Sequence, residues 1–553
     1  MAKRAADLMV EALEAYGIER VWCVPGESYL TLLDALCDSE IETIQCRHES
    51  GAGFMAVSES KLTGRPAVFM VSRGPGATNG SIALHVAEQD ATPVILLIGQ
   101  VSREERGKGA FQEMDYEKFF GSVAKGVWEV SEVQNVVPVM AEAFELATSG
   151  TPGPVVISMP EDMLGDAVDG TPRALQAFVP AEPDPEQVAE VAALISRSER
   201  PLIMAGGSLR APRGQAALAA VAEWHRAPVA AMWKHQDIFD NTSPLYAGHL
   251  GFGSPAAHVD VLKQADLIIA VGTRLGDVTT QGYTLPRSPE PDQTLVHVHA
   301  DSAVIGRNFR TDIAACCDPV AFLEQLVREK STVPAPRETW LEEINSFVSG
   351  FTAFTARETD DGVDYGRVVD AFSRLSSDDA IILTDAGNIS SWVHRNWKMT
   401  PKNVLVGGVA GAMGLGVPGA VTASYLNPGR QAIVVVGDGG ILMTGQEIAT
   451  AMHLGATPII VVSNNSSYGT IRLHQEKHHP GRISATDLTN PDFCKWAESF
   501  GAKALRIERD EDVEPMVEAA LAGHDVPVVV EVISSRESLS AFVTLSQFRA
   551  AAE

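Results

Sequence analysis

Residues 431–470, QAIVVVGDGGILMTGQEIATAMHLGATPIIVVSNNSSYGT, constrain the fold more than any other stretch of the chain. A β-branched run from Ala432 to Val436 ends in Gly437-Asp438-Gly439-Gly440. After an amphipathic segment, a second apolar run from Pro458 to Val462 ends in Asn464-Asn465. The pattern predicts one strand–turn–helix–strand unit. In a parallel sheet both turns lie at the carboxyl edge, where open α/β folds hold their ligands, so Asp438 and Asn465 can converge on one point. A carboxylate and an amide oxygen are hard donors suited to Mg²⁺, which takes its other ligands from water and a bound phosphate. The glycines permit close backbone approach, and the start of the following helix offers free N–H groups to a diphosphate.

At 553 residues the chain is too long for one core, and at about 150 residues per domain it divides into three or four. The net charge of −28 argues against nucleic acid and against an anionic membrane as partners. Cys23, Cys37, Cys46, Cys316, Cys317 and Cys494 show no metal-type spacing and read as reduced thiols of a cytoplasmic protein. The N-terminus carries acidic residues inside its apolar pattern, so it reads as an amphipathic helix and not as a secretory signal. The uncharged stretch from Val404 to Leu426 is broken by glycines and Pro418 and is expected to be a buried loop and helix, not a membrane span.

Strand and helix patterns alternate along the whole chain, which means parallel sheets covered on both faces. The expected architecture is α/β, three doubly wound parallel-sheet domains at residues 1–165, 185–330 and 360–535. Linkers fall at 162–187 and 331–364, and a tail at 536–553 is either a short helix or a cover over a cleft. In the middle unit the glycines at strand ends either host a nucleotide or only make turns. Glu49, in RHESGAGFMA, falls just after a strand and at a helix start, where a carboxylate also satisfies the helix dipole.

With both ends in view, the chain resembles the three-domain thiamine diphosphate enzymes: acetolactate synthase, pyruvate oxidase and the 2-oxoacid decarboxylases. The motifs RHESGAGFMA, SRGPGATN, IGQV followed by GAFQE, GAMGLGVP, and GDGGILMTGQE with Asn-Asn place it nearest to acetolactate synthase. The resemblance implies a pyrimidine-binding first domain, a central domain and a diphosphate-binding third domain. It implies thiamine diphosphate and Mg²⁺ as cofactors, with FAD or ADP in the central domain as an open alternative.

Carried over residue by residue, Glu49 hydrogen-bonds the cofactor's pyrimidine, and Phe111 and Gln112 face the reactive carbon. Met413 wedges under the cofactor and Gly411 offers it a carbonyl, while Gly26, Pro75 and Asn79 pack at the pyrimidine end. Asp438, Asn465 and the main-chain oxygen of Ser467 match the metal ligands. Asn388, Gly437, Gly439, Gly440, Tyr468, Gly469 and Thr470 surround the diphosphate. Because the first and third domains are expected to join across subunits, a homodimer or homotetramer is implied.

Departures from the family pattern concern the substrate. Glu27 in VPGES stands where acetolactate synthases usually have a second glycine, SRGPGA with Arg73 stands where they usually have SGPGA, and His474 replaces a tryptophan that favours 2-oxobutyrate as acceptor. Glu27 and Ser28 are substrate candidates. Arg472, His474 and His478 form either a polar, partly cationic pocket for an anionic substrate or a solvated helix face. The leading reading is decarboxylation of a 2-oxoacid with carboligation. The alternatives are an acyl-CoA C–C lyase or decarboxylase, a flavin-dependent 2-oxoacid oxidase, and a simple 2-oxoacid decarboxylase. A non-catalytic scaffold would have little reason to retain Glu49, Asp438 and Asn465 together.

Overall fold

The β-branched run at the heart of the chain forms the strand Ala432–Gly437, which pairs in parallel with Ile459–Asn464 from Ile433 opposite Ile459 to Gly437 opposite Ser463. The two strands therefore leave the sheet at one edge, and Asp438 and Asn465 begin the two following segments side by side. The molecule is a computed structural model that describes residues 3–329 and 336–552, with side chains as far as Arg549. The start of the second linker, 331–335, and the last residue of the tail lie outside the described residues, as do residues 1, 2 and 330.

This sheet has six strands in the order Val404–Gly407, Ile381–Thr384, Ala432–Gly437, Ile459–Asn464, Val528–Ile533, Lys503–Ile507. Numbered along the chain, the order is 2-1-3-4-6-5. The first sheet repeats it with Glu42–Gln45, Arg20–Cys23, Ala67–Ser72, Val94–Gln100, Val155–Pro160 and Gly126–Glu129. The central sheet does not. Its strands Tyr246–Leu250, Val229–Met232, Pro201–Ala205, Leu267–Val271, Thr294–His299 and Ile313–Cys316 run 3-2-1-4-5-6, the order of dinucleotide-binding folds. All pairings within the three sheets are parallel. The fold is thus three doubly wound α/β units, of which the outer two share one topology.

The outer units share a core. Helix Glu49–Thr63 of the first lies against helix Gly416–Leu426 of the third, and Phe54, Met55, Val417 and Val421 are buried together. At the other end of this contact Lys61 pairs with Asp90 at 2.6 Å and donates to the Gly407 carbonyl at 2.6 Å.

Local structure departs from the sequence pattern in two ways. The expected glycine turn at Gly437–Gly440 is absent, because a helix begins at once at Asp438 and takes the glycines into its first turn, as the helix that begins at Arg73 does with Gly74 and Gly76. The stretch 404–426, read as loop and helix, opens with the edge strand Val404–Gly407, whose three apolar residues are too few to stand out before Gly407-Gly408. The tail forms helix Leu545–Ala552, which packs on helix Gly469–His478 through Leu473, Leu545 and Phe548. Among the described residues no helix is long and apolar enough to cross a membrane.

Candidate cofactor and metal site

The strand order of the third sheet reverses between Ile381–Thr384 and Ala432–Gly437, and the residues that follow these strands form the candidate site, at the switch point where open α/β sheets hold ligands. Asp438 is the first residue of its helix, with 2% of its surface exposed. One carboxylate oxygen accepts from the Gly439 N–H at 2.9 Å; the other accepts from the Ser467 N–H at 3.3 Å and from Asn490 Nδ2 at 2.8 Å. Burial raises its pKa above the usual carboxylate range, against the pull of these donors.

Around Asp438 lie several buried polar atoms with no partner: Asn465 Oδ1, Ser467 Oγ, Asn490 Oδ1 and, nearby, Asn388 Nδ2. Buried polar groups in folded proteins are nearly always satisfied, so a cluster of unpartnered atoms beside a desolvated carboxylate fits a cation and its anionic ligand. The donor set is all oxygen on the metal side, which suits Mg²⁺. Among the described residues the main-chain oxygen of Ser467 accepts only from the Gly469 N–H, at 2.7 Å, and keeps a lone pair. Asn388 begins helix Ile389–Asn396, and its N–H donates to Thr470 Oγ1 at 2.7 Å, which ties the first turn of the site to the last.

The glycines leave room here. A Cβ on Gly439 would lie 2.5 Å from the Tyr468 ring, and one on Gly440 would lie 2.8 Å from Asp385 Oδ2, whereas one on Gly437 meets nothing. Asp385 is buried, and burial lifts its pKa to about 6. Its oxygens accept the Gly414 N–H at 2.9 and 3.1 Å and pin the loop in which Gly411 takes φ +68° and Met413 is half-buried.

Glu49 stands apart from this cluster in the first domain. It is the first residue of helix Glu49–Thr63, is half-buried, and accepts from Asn79 Nδ2 at 3.0 Å. Pro75 and Asn79 are exposed on the facing helix, and Gly26 packs against Ser72. Phe111 is 75% exposed and Gln112 takes φ +65°, its carbonyl accepting from the Gly74 N–H at 3.0 Å. Among the described residues no hydrogen bond joins the Glu49 group to the Asp438 group.

Of the substrate candidates, Glu27 is exposed, while Ser28 is buried and shares a 2.8 Å hydrogen bond with Ser72. Arg472 pairs with Asp487 at 3.0 Å, and the exposed rings of His474 and His478 stack with centroids 6.3 Å apart.

Profiles of three domain families match the chain in order. These are the N-terminal TPP binding domain of thiamine pyrophosphate enzymes at residues 3–119, their central domain at 188–326, and their C-terminal TPP binding domain at 385–532. A probable acetolactate synthase large subunit of Methanocaldococcus jannaschii is 31% identical over 97% of this chain and 93% of its own length. The chain belongs to the thiamine pyrophosphate enzymes. The acetolactate synthase isozyme 1 large subunit of Escherichia coli is 31% identical over 92% of this chain and 90% of its own. A putative thiamine pyrophosphate-containing protein of Bacillus subtilis, YdaP, is 29% identical over 97% and 92%.

Four residues that brace the candidate site of this thiamine pyrophosphate enzyme were not singled out by the sequence: Asp385, Glu447, Asn490 and Arg536. Glu447 is buried and accepts from the Arg47 and His48 N–H groups at 3.1 and 3.0 Å, directly before Glu49. Arg536 donates to the Asn465 and Ser466 carbonyls at 2.7 and 3.0 Å. Only Glu447 has a signal, since it closes the TGQE run. The others are short-range partners of loops whose shape the sequence does not show.

Proposed function

We propose that this chain is a Mg²⁺-dependent thiamine diphosphate enzyme that decarboxylates a 2-oxoacid and joins the remaining unit to an acceptor carbonyl, as an acetolactate synthase does. The observation that carries it is the buried Asp438 carboxylate ringed by the unpartnered oxygens of Asn465, Ser467 and Asn490. When bound, the cofactor supplies a nucleophilic carbon and an electron sink for the pair released with CO₂.

The chain's own residues do the rest. Asp438, Asn465 and the Ser467 carbonyl would hold the cation, and Asn388 Nδ2, buried and without a partner among the described residues, would serve the diphosphate. Glu49, steadied by Asn79, holds a proton at its carboxylate for the pyrimidine. Met413, on a loop pinned by Asp385, supports the cofactor from below. Exposed Phe111 and the left-handed Gln112 form the wall nearest the substrate.

The same reading implies self-association. Glu49 and Asp438 form separate clusters within one chain, and Phe111, Leu30, Leu442 and Met443 are exposed apolar side chains near them. A second copy that unites the clusters gives a dimer, and sedimentation at micromolar concentration checks it. FAD or ADP in the central domain draws support from the 3-2-1-4-5-6 order and the Gly206-Gly207 turn. Flavin absorption or ADP in an acid extract bears this out; a nucleotide-free extract opposes it.

The test is a panel of 2-oxoacids and acyl-CoA thioesters, assayed for CO₂ and for ligated products with thiamine diphosphate and Mg²⁺ present. CO₂ together with a 2-hydroxy-3-oxoacid product is expected from 2-oxoacids. Turnover of acyl-CoA alone would overturn the reading.

A further inference from the structure

The side chain of Asn490 lies between two acceptors. Its Nδ2 donates to Asp438 Oδ2 at 2.8 Å and to Asn464 Oδ1 at 2.9 Å, while its own Oδ1 is buried and unpartnered. Which end of an amide is oxygen is settled by its neighbours, and here the assignment follows from charge outward. Glu531, 2% exposed, accepts from Arg506 Nε at 2.9 Å. Its second oxygen accepts from Asn464 Nδ2 at 2.7 Å.

A carboxylate can only accept, so Asn464 must turn its nitrogen to Glu531 and its oxygen to Asn490. Asn490 then meets an amide oxygen on one side and the Asp438 carboxylate on the other, and must present its nitrogen to both. A directed chain of hydrogen bonds runs from Arg506 through Glu531, Asn464 and Asn490 to Asp438.

The same chain accounts for the acidic grouping of Asp492, Cys494 and Glu531. Arg506 sits among them, 2.6 Å from Asp492 and 2.8 Å from Glu531, and supplies the positive charge itself. It also explains why the strand ends in two asparagines. Asn464 spends its amide on Glu531 and Asn490, whereas Asn465 Oδ1 is buried and without a partner among the described residues.

We propose that Asn490 is a positioning residue of the cation site. Through this chain it sets the rotation of the Asp438 carboxylate, and its own Oδ1 stays free to accept a hydrogen bond. The inference rests on the reading above that Asp438 binds the cation. Partners that orient a metal ligand typically change metal affinity about 10- to 100-fold when removed.

The test measures Mn²⁺ affinity by electron paramagnetic resonance with saturating thiamine diphosphate, and thiamine diphosphate affinity at saturating Mn²⁺, in the full-length protein. Asn490→Ala is expected to weaken Mn²⁺ about tenfold with cofactor affinity at saturating metal changed less than about twofold. Arg506→Gln, at the solvent end of the chain, should weaken Mn²⁺ in the same direction by a smaller factor. Unchanged Mn²⁺ affinity in Asn490→Ala, or an equal fall in both affinities, overturns the inference. If that variant does not fold, unchanged Mn²⁺ affinity in Arg506→Gln overturns it instead. Asp438→Asn separates the two levels: if it too leaves Mn²⁺ affinity intact, the cation reading itself is wrong.

Discussion

Gly437, Gly439 and Gly440 stand together in the sequence, but different forces act on each. Gly437 faces open space, while a methyl group on Gly439 or Gly440 would press on Tyr468 or Asp385. Gly439→Ala is therefore expected to cost about 1–3 kcal/mol by overpacking, and Gly437→Ala less than about 0.5 kcal/mol. Urea denaturation of the cofactor-free protein measures both. The sequence marks the glycine cluster as a place where the backbone can approach a diphosphate closely; in the structure Gly439 and Gly440 are crowded by Tyr468 and Asp385 and Gly437 is not. Its expected form, a turn, is absent, because none of the three has positive φ and a helix begins at Asp438. Glu49 is a second test among single residues. Glu49→Gln keeps the shape and the Asn79 contact and removes the proton carrier, so turnover should fall at least about a hundredfold with an unchanged melting temperature.

Among elements, the central strands of each sheet were legible and the edges mostly were not. Ala67–Ser72, Leu267–Val271 and Ala432–Gly437 are buried apolar runs, as parallel strands covered on both faces must be. Gly126–Glu129 and Lys503–Ile507 are edge strands, partly exposed, with a Gly, a Glu, a Lys and an Arg among their nine residues. Their pairing comes from the neighbouring strand rather than from their own pattern. The contact of Glu447 with helix Glu49–Thr63 is illegible for the same reason, since its partners are backbone N–H groups some 400 residues away. Glu447→Ala leaves the buried Arg47 and His48 N–H groups without their acceptor and should destabilise by about 1–3 kcal/mol. Chemical denaturation monitored by tryptophan fluorescence checks it.

In the molecule as a whole, three units meet around Lys234, a buried residue that follows a central-domain strand, lies 5.6 Å above the Trp233 ring and packs on Gly407 of the third unit. Burial lowers its pKa from 10.5 to about 8. A depressed lysine favours the neutral form in the folded state, so its contribution is whole above pH 10.5 and is lost as pH falls through about 8. At pH 7 the shift of about 2.5 units corresponds to a cost of about 3 kcal/mol. Lys234→Met should then be more stable than the native chain at pH 7, with the advantage shrinking toward pH 10; a difference independent of pH would refute this.

The division into three α/β units was readable from alternating patterns. That the central one has a different strand order was not, because strand order depends on which strands pair and not on their composition.

The decisive experiment is calorimetric titration of thiamine diphosphate into the cofactor-free protein, with Mg²⁺ and with a chelator, for the native chain and for Asp438→Ala. Binding is expected only in the native chain and only with Mg²⁺. Equal affinity under chelation, or in Asp438→Ala, would contradict the assignment of the cation and diphosphate to the carboxyl edge of the third sheet.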